Sequence, residues 1–198
     1  ERLRAGHPRL VMTSITPFGQ SGPYKDYKTS EIVAFALSGA MAVCGDPDRP
    51  PLRLNPYHAY TYAGANAAAG TLLAYYYRQT TGEGQHVDVS AQESVAQDNF
   101  MYPPLWELEK FLPRRMGARI VRSGRWHHQV WFPCQDGWVQ FFTGGGPTGV
   151  RMRRAITEWM EEDGIVGKWK AMDWETYDGN KMTQEEIDAL DDELARFV

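Results

Sequence analysis

The apolar positions of this chain fall into two textures, one on either side of residue 104. In the first, the run RLVMTSI (9–15) is short, apolar and rich in β-branched side chains, and stops at Thr16, Pro17 and Gly19; it predicts a buried strand feeding a loop. After FGQSGPYKDYK, Thr29 or Ser30 offers an N-cap and Glu31 a first-turn carboxylate. Ile32, Val33, Phe35, Ala36, Leu37 and Ala40 then predict an apolar helix closing at Gly45. The proline-rich loop DPDRPPLRLNP separates it from a long helix expected over 58–79. There Ala63, Gly64, Ala67, Ala68 and Gly70 make a surface almost without side chains, which lets another backbone come close. Behind the TTGEGQ turn, HVDVS alternates, with Val87 and Val89 on one face and His86 and Asp88 on the other, and predicts a strand. Ser90 and Glu93 are spaced as a capping box opening a helix that Pro103 and Pro104 interrupt.

Beyond residue 104 the pattern changes. Residues 105–126 are arginine-rich with little periodicity and read as a connector. HHQVWFP, the CQDG turn and WVQFFT predict a β-hairpin, because Asp136-Gly137 between two aromatic-rich runs is a specific turn signal. GGGPTG leads into an amphipathic helix from about Val150 to Asp163, and Thr183 with Glu186 caps a last helix running to the C-terminus. The fold class expected is α/β: residues 1–104 as part of a larger α/β domain, 105–126 as linker, and 127–198 as part of a small α+β domain containing the hairpin.

Composition narrows the function classes. In 198 residues, 42% apolar and 13% aromatic side chains suffice for a packed core. A balance of 21 basic against 25 acidic side chains, net -4, concentrates neither sign enough to imply nucleic acid or an anionic membrane, and points to small molecules or protein partners. Cys44 and Cys134 lie far apart without a framework pattern, as packing residues of a reducing, cytoplasmic compartment do. No apolar run approaches the roughly 20 residues a bilayer span needs, and no signal peptide is visible. The chain opens at Glu1 without Met, and we expect an excerpt of something longer.

Several motifs carry less than they suggest. His127 and His128 are adjacent on an expected strand, so they face opposite ways and do not share a metal. In DWETYDGNKMTQEE, Gly179 at the sixth position of a calcium loop puts Trp174 at the first, where an oxygen ligand is required. No metal site is expected. TGGGPTG could offer backbone N–H groups to a phosphate, yet lacks the GK[ST] ending of a P-loop. Trp131, Phe132, Trp138, Phe141 and Phe142 read as hairpin core, and Ser14, Ser38 and Ser90 lack the G-x-S-x-G context of a serine hydrolase.

The succession LVMTSITPFGQSGPYKDYK, EIVAFALSGAMAVCGDPDRPP and AGANAAAGTLLAYYYRQTTGEGQHVDVSAQES resembles the class III CoA-transferases (CaiB/BaiF type), which include formyl-CoA transferase, carnitine CoA-transferase and α-methylacyl-CoA racemase. The resemblance covers about residues 8–96, and DGWVQFF resembles the opening of the family's small domain. It implies that residues 1–104 belong to a Rossmann-like large domain and that the substrates are an acyl-CoA and a carboxylic acid. In the family a carboxylate near the start of the small-residue helix attacks the acyl-CoA thioester, giving a mixed anhydride and then an aspartyl-CoA thioester. Counted back from TGEGQ, that Asp falls on Tyr60, and no Asp or Glu occurs between Asp48 and Glu83. A phenol, with an ordinary pKa of about 10, is neutral at pH 7 and does not replace a nucleophilic carboxylate.

Other family positions carry over by the same resemblance. Lys28 matches a lysine near the CoA moiety, or is a solvated loop lysine; Glu31 matches an active-site glutamate of formyl-CoA transferase, or is a generic helix N-terminal acid. Ala91 stands where a family methionine flanks CoA, and Gly124 is what VRSGRW keeps of a glycine-rich active-site loop. Family members form interlocked dimers, some of them heterodimers with the nucleophile on one subunit, and HAYTYAGA with PCQDGWV resembles the subunit without it, of benzylsuccinate type. The resemblance therefore implies a transferase subunit lacking its own nucleophile in a homo- or heterodimer; the alternative is a non-catalytic CoA-binding or assembly module, or an inactive fragment.

Overall fold

Gly39 decides where the first long apolar segment stops being helical. The computed structural model describes residues 2–54, 57–122, 126–142 and 146–198, without side-chain detail at Arg2, Asp98 and Arg122. It comprises two units, Glu1–Leu108 and Glu109–Val198. The first holds α1 (Arg2–Gly6), β1 (Met12–Thr16), α2 (Glu31–Leu37), α3 (His58–Thr81), β2 (His86–Ser90), α4 (Ala91–Ala96) and all but the last residue of α5 (Tyr102–Glu109). The helix expected to run to Gly45 ends instead at Leu37. Gly39 takes a left-handed φ of 87°, Ser38 Oγ donates to the Phe35 carbonyl at 2.7 Å, and a separate 3-10 turn covers Ala40–Val43. The freed carbonyls of Leu37 and Ser38 accept from Gln92 Nε2 and Asn99 Nδ2, at 3.1 and 3.2 Å.

Strands β1 and β2 pair in parallel, Met12 opposite His86 through Thr16 opposite Ser90, and the helices between them supply the crossover that parallel pairing requires. The small-residue face of α3 lies on this pair. A Cβ on Gly70 would come within 2.8 Å of Val87 Cγ1, and the Thr71 hydroxyl meets that of Thr13 at 2.5 Å. Ala59, Ala63 and Ala67 then join Ala34, Phe35, Val89, Ala91 and Val95 in the core. So at least part of that bare surface is used inside the unit. Ser90 accepts the Glu93 N–H at 3.2 Å, giving one half of the expected capping box. Pro103 and Pro104 open α5 instead of merely ending a helix, since a first turn has no use for their missing N–H groups.

The second unit contains β3 (Arg119–Arg122), β4 (Trp126–Gln129), β5 (Trp131–Cys134), β6 (Gly137–Gln140), α6 (Gly146–Glu162), α7 (Lys168–Ala171) and α8 (Gln184–Phe197). The 105–126 segment thus carries the end of α5 and strand β3. The HHQVWFP run splits at Val130: its N–H bonds to Ala118 O and its carbonyl accepts from Phe141 N–H, both at 3.0 Å. One half pairs with β3 and the other with β6, in two antiparallel hairpins. The β5–β6 turn is Gln135-Asp136, with Gly137 already the first residue of β6. Helix α6 begins earlier than expected, at Gly146. The Thr183–Glu186 capping box forms in both directions, at 3.3 and 2.8 Å. Phe132, Ile156, Met160, Trp169, Trp174, Leu190 and Leu194 make this unit's core. Among the described residues, no helix is long and apolar enough to cross a membrane.

Candidate functional site

Helix α3 begins with a problem that its own sequence does not solve. Its N-cap is Tyr57, whose side chain makes no capping hydrogen bond, and its first turn has no acid. The four N–H groups at such an end need acceptors. One comes from 28 residues upstream: Glu31 Oε1 accepts the Ala59 N–H at 3.0 Å. Glu31 is only 7% exposed and itself starts α2, so its carboxylate sits at two helix N-termini, where the helix dipoles favour negative charge. Its Oε2 lies 3.8 Å from Arg53 Nη1, an ion-pair distance, and accepts no hydrogen bond from the described residues. His58 reinforces the junction, with its ring centroid 5.4 Å from Phe35 of α2 and 4.6 Å from Tyr62.

Tyr60 stands one residue beyond that cap and is 47% exposed. The acid at the head of α3 is therefore Glu31, brought there from α2. Its capping oxygen is committed to Ala59, so attack on an electrophile through that atom would uncap α3. Lys28 is exposed on the loop before α2. Ala91 is 1% exposed, with its methyl inside the core. Gly124 lies outside the described residues, as do Gly144 and Gly145 of TGGGPTG.

Other clusters resolve in detail. Ser14 Oγ lies 2.9 Å from His86 Nε2, but Asp88 Oδ2 accepts the Gln20 N–H at 2.8 Å, so the three do not form a hydrolase triad. His127 Nδ1 meets Arg119 Nη1 at 3.2 Å, while His128 lies against Trp126 with centroids 5.7 Å apart. In the acidic 173–186 segment, the Thr176 hydroxyl and the Glu175 N–H hold the Asp173 carboxyl below the usual carboxylate range. Among the described residues no group of His, Cys, Asp and Glu is arranged for a metal ion.

The second unit contains a cavity of about 680 Å³ between β4, α6, the 174–180 loop and α8. Asp191 lines it, is 7% exposed, and accepts the Gln129 N–H on Oδ2 at 2.6 Å. Burial pushes its carboxyl up to about 7, against the opposing pull of the Gln129 N–H and Arg119. Sequence reading missed this residue. The signal was there: Asp191 falls in the apolar stripe of Ile187, Leu190 and Leu194, an acid where the helical period asks for a hydrophobe.

Residues 1–197 match the family described as CoA-transferase family III. The chain is 34% identical over 181 residues to succinyl-CoA:(R)-benzylsuccinate CoA-transferase subunit BbsE of Thauera aromatica, covering 91% of this chain and 41% of that protein. It is 35% identical over 156 residues to a formyl-CoA:oxalate CoA-transferase of Streptomyces avermitilis, covering 74% of this chain and 36% of that one. Of solved structures, a CAIB/BAIF family protein from Brucella suis superposes with a TM-score of 0.64 at 24% identity, covering 82% of this chain and 40% of that chain, a likeness of fold. The chain spans about two fifths of the length of these relatives.

Proposed function

The chain belongs to CoA-transferase family III, and from that premise we propose that it serves transfer of CoA between an acyl-CoA thioester and a carboxylic acid as a subunit without its own nucleophilic Asp. The observation that carries this reading is the head of α3, where residue 60 is a half-exposed phenol and the acid nearby, Glu31, is bound to the Ala59 N–H. In this reading the carboxylate that attacks the thioester carbon and expels CoA thiolate belongs to a partner chain, and Glu31 holds the α3 head rigid. Lys28, exposed on its loop, is a cation available to CoA phosphates. Two features support an assembly. The relative BbsE is named as a subunit, and α3 exposes Leu72, Leu73 and Tyr76 at 68–71%. The parallel β1–β2 pair with its helical crossover suits a piece of a Rossmann-like sheet.

The test is reconstitution. Mixed with an Asp-bearing family III partner, the chain is expected to raise CoA exchange above that of the partner alone. No gain sinks the subunit reading. CoA binding without any gain, weakened by Lys28→Ala, would favour a non-catalytic CoA-binding module, a reading that the absence of an acid at residue 60 also fits.

A further inference from the structure

The cavity of the second unit is lined by a buried acid, by aromatic side chains and by three arginines, Arg151, Arg153 and Arg154. Asp191 Oδ2 is satisfied by Gln129, but no hydrogen bond or ion pair reaches Oδ1 among the described residues. Asp191 lines the cavity, so this oxygen is an acceptor that a ligand's N–H can reach. The walls are braced before anything binds. Trp126 packs on Gly179, where a Cβ would come within 2.7 Å of the indole, and its Nε1–H donates to Asn180 Oδ1 at 3.3 Å. Trp174 and Tyr177 hold each other at 5.3 Å, and the Arg153 guanidinium lies 4.5 Å over the Tyr177 ring. On α6, Arg154 is paired with Glu175 at 2.8 Å, whereas Arg151 contacts the Thr148 hydroxyl at 3.4 Å and has no ion pair among the described residues.

We propose that this cavity binds a flat aromatic ring with an N–H donor on its inner edge and an anionic group at its outer end: donor to Asp191, ring against Trp126 and Tyr177, anion to Arg151. The volume of about 680 Å³ admits a ligand the size of a mononucleotide. Purine nucleotides and small amino-aryl acids share this chemistry. The inference is independent of CoA transfer and of the α3 head.

Calorimetric titration of the full chain tests it with paired probes. Adenosine 5′-monophosphate is expected to bind about tenfold more tightly than purine riboside 5′-monophosphate, which lacks the exocyclic amine, because an acceptor built for a donor rejects the analogue without it. Asp191→Asn keeps an acceptor for Gln129 but turns an NH₂ toward the ligand, and should erase that difference. Arg151→Ala should weaken the monophosphate several-fold and leave adenosine unchanged. If 4-aminobenzoate shows the same margin over benzoate while the nucleotides do not bind, the occupant is the smaller amino-aryl acid. Failure of every amine-bearing probe to outbind its amine-free counterpart overturns the proposal, as does a preference that survives in Asp191→Asn. Should that variant not fold, the paired probes on the unmodified chain decide alone.

Discussion

Glu31 and Asp191 are both 7% exposed and each accepts one backbone N–H, yet the two units use these buried carboxylates in opposite ways. Glu31 sits where two helices begin, with Arg53 at 3.8 Å, so its charge meets favourable dipoles and a cation. Asp191 lies in the middle of α8, away from either dipole end, and burial dominates its chemistry. Equal burial therefore says little about an acid's role. What matters is whether the surrounding groups were placed for its negative charge. Within the second unit Glu193 behaves like Glu31: also 7% exposed, it accepts the Lys168 and Trp169 N–H groups at 2.6 and 3.2 Å and caps α7 from another helix.

The largest effect should come from Glu31→Ala. It leaves the Ala59 N–H without its acceptor and Arg53 without its ion-pair partner, opens space at the α2–α3 junction, and should cost about 2–3 kcal/mol in urea unfolding. Glu31→Gln keeps an acceptor and should recover more than half of that. Equal loss in both variants would mean that charge, not the hydrogen bond, holds the junction, and would sharpen the contrast with Asp191.

The next effect is a pH dependence. The folded value of Asp191, about 7, lies above the ordinary Asp value, so the folded unit binds the proton more tightly than the unfolded chain. Stability should therefore fall as pH rises from about 4 to about 7, by about 2 kcal/mol once water reaching the cavity is allowed for. Asp188 and Asp192 add to the cost of its charge, and Arg119 reduces it. Asp191→Asn should remove this component and be the more stable protein at pH 8. An unchanged pH profile in the variant would place the titration elsewhere. Smaller again is Glu193→Ala, expected to cost about 1–2 kcal/mol by baring the N–H groups of α7, a short helix that contributes less core than α3.

How much of this was legible in sequence follows from the range of the interactions. The 58–81 helix, the 86–90 strand and the Thr183 cap rest on neighbours within a few residues, and their signals were in the chain. The end of α2 was missed because Ser38-Gly39 reads as tolerable inside an apolar helix until the side chains of Gln92 and Asn99 are seen taking its carbonyls. The hairpin around Asp136-Gly137 forms as expected, but its first strand is shorter, because Val130 serves two strand pairs, which no local pattern announces. At the site, Tyr60 and Glu31 were singled out separately, but the bond from Glu31 to Ala59 spans 28 residues and shows only in three dimensions. Asp191 was hidden by expectation alone, as a charged letter in an acidic helix.

Tyr60→Asp should have the smallest effect on stability and tests the comparison most directly. An acid in the first turn of α3 gains about 0.3–1 kcal/mol from the helix dipole, and Tyr60 is 47% exposed, so little packing is lost. Against this, the new carboxylate stands one residue from the N–H that Glu31 already occupies, and like charges near one helix end repel. The two nearly cancel, and the urea midpoint should move by no more than about 0.5 kcal/mol in either direction. In the double variant Glu31→Gln/Tyr60→Asp the repulsion is gone, so residue 60 should then become stabilising relative to Glu31→Gln alone. If Tyr60→Asp instead costs as much as Glu31→Ala, the head of α3 has no capacity for a second anion, and the favourable helix-end field that sets Glu31 apart from Asp191 is already spent on Glu31.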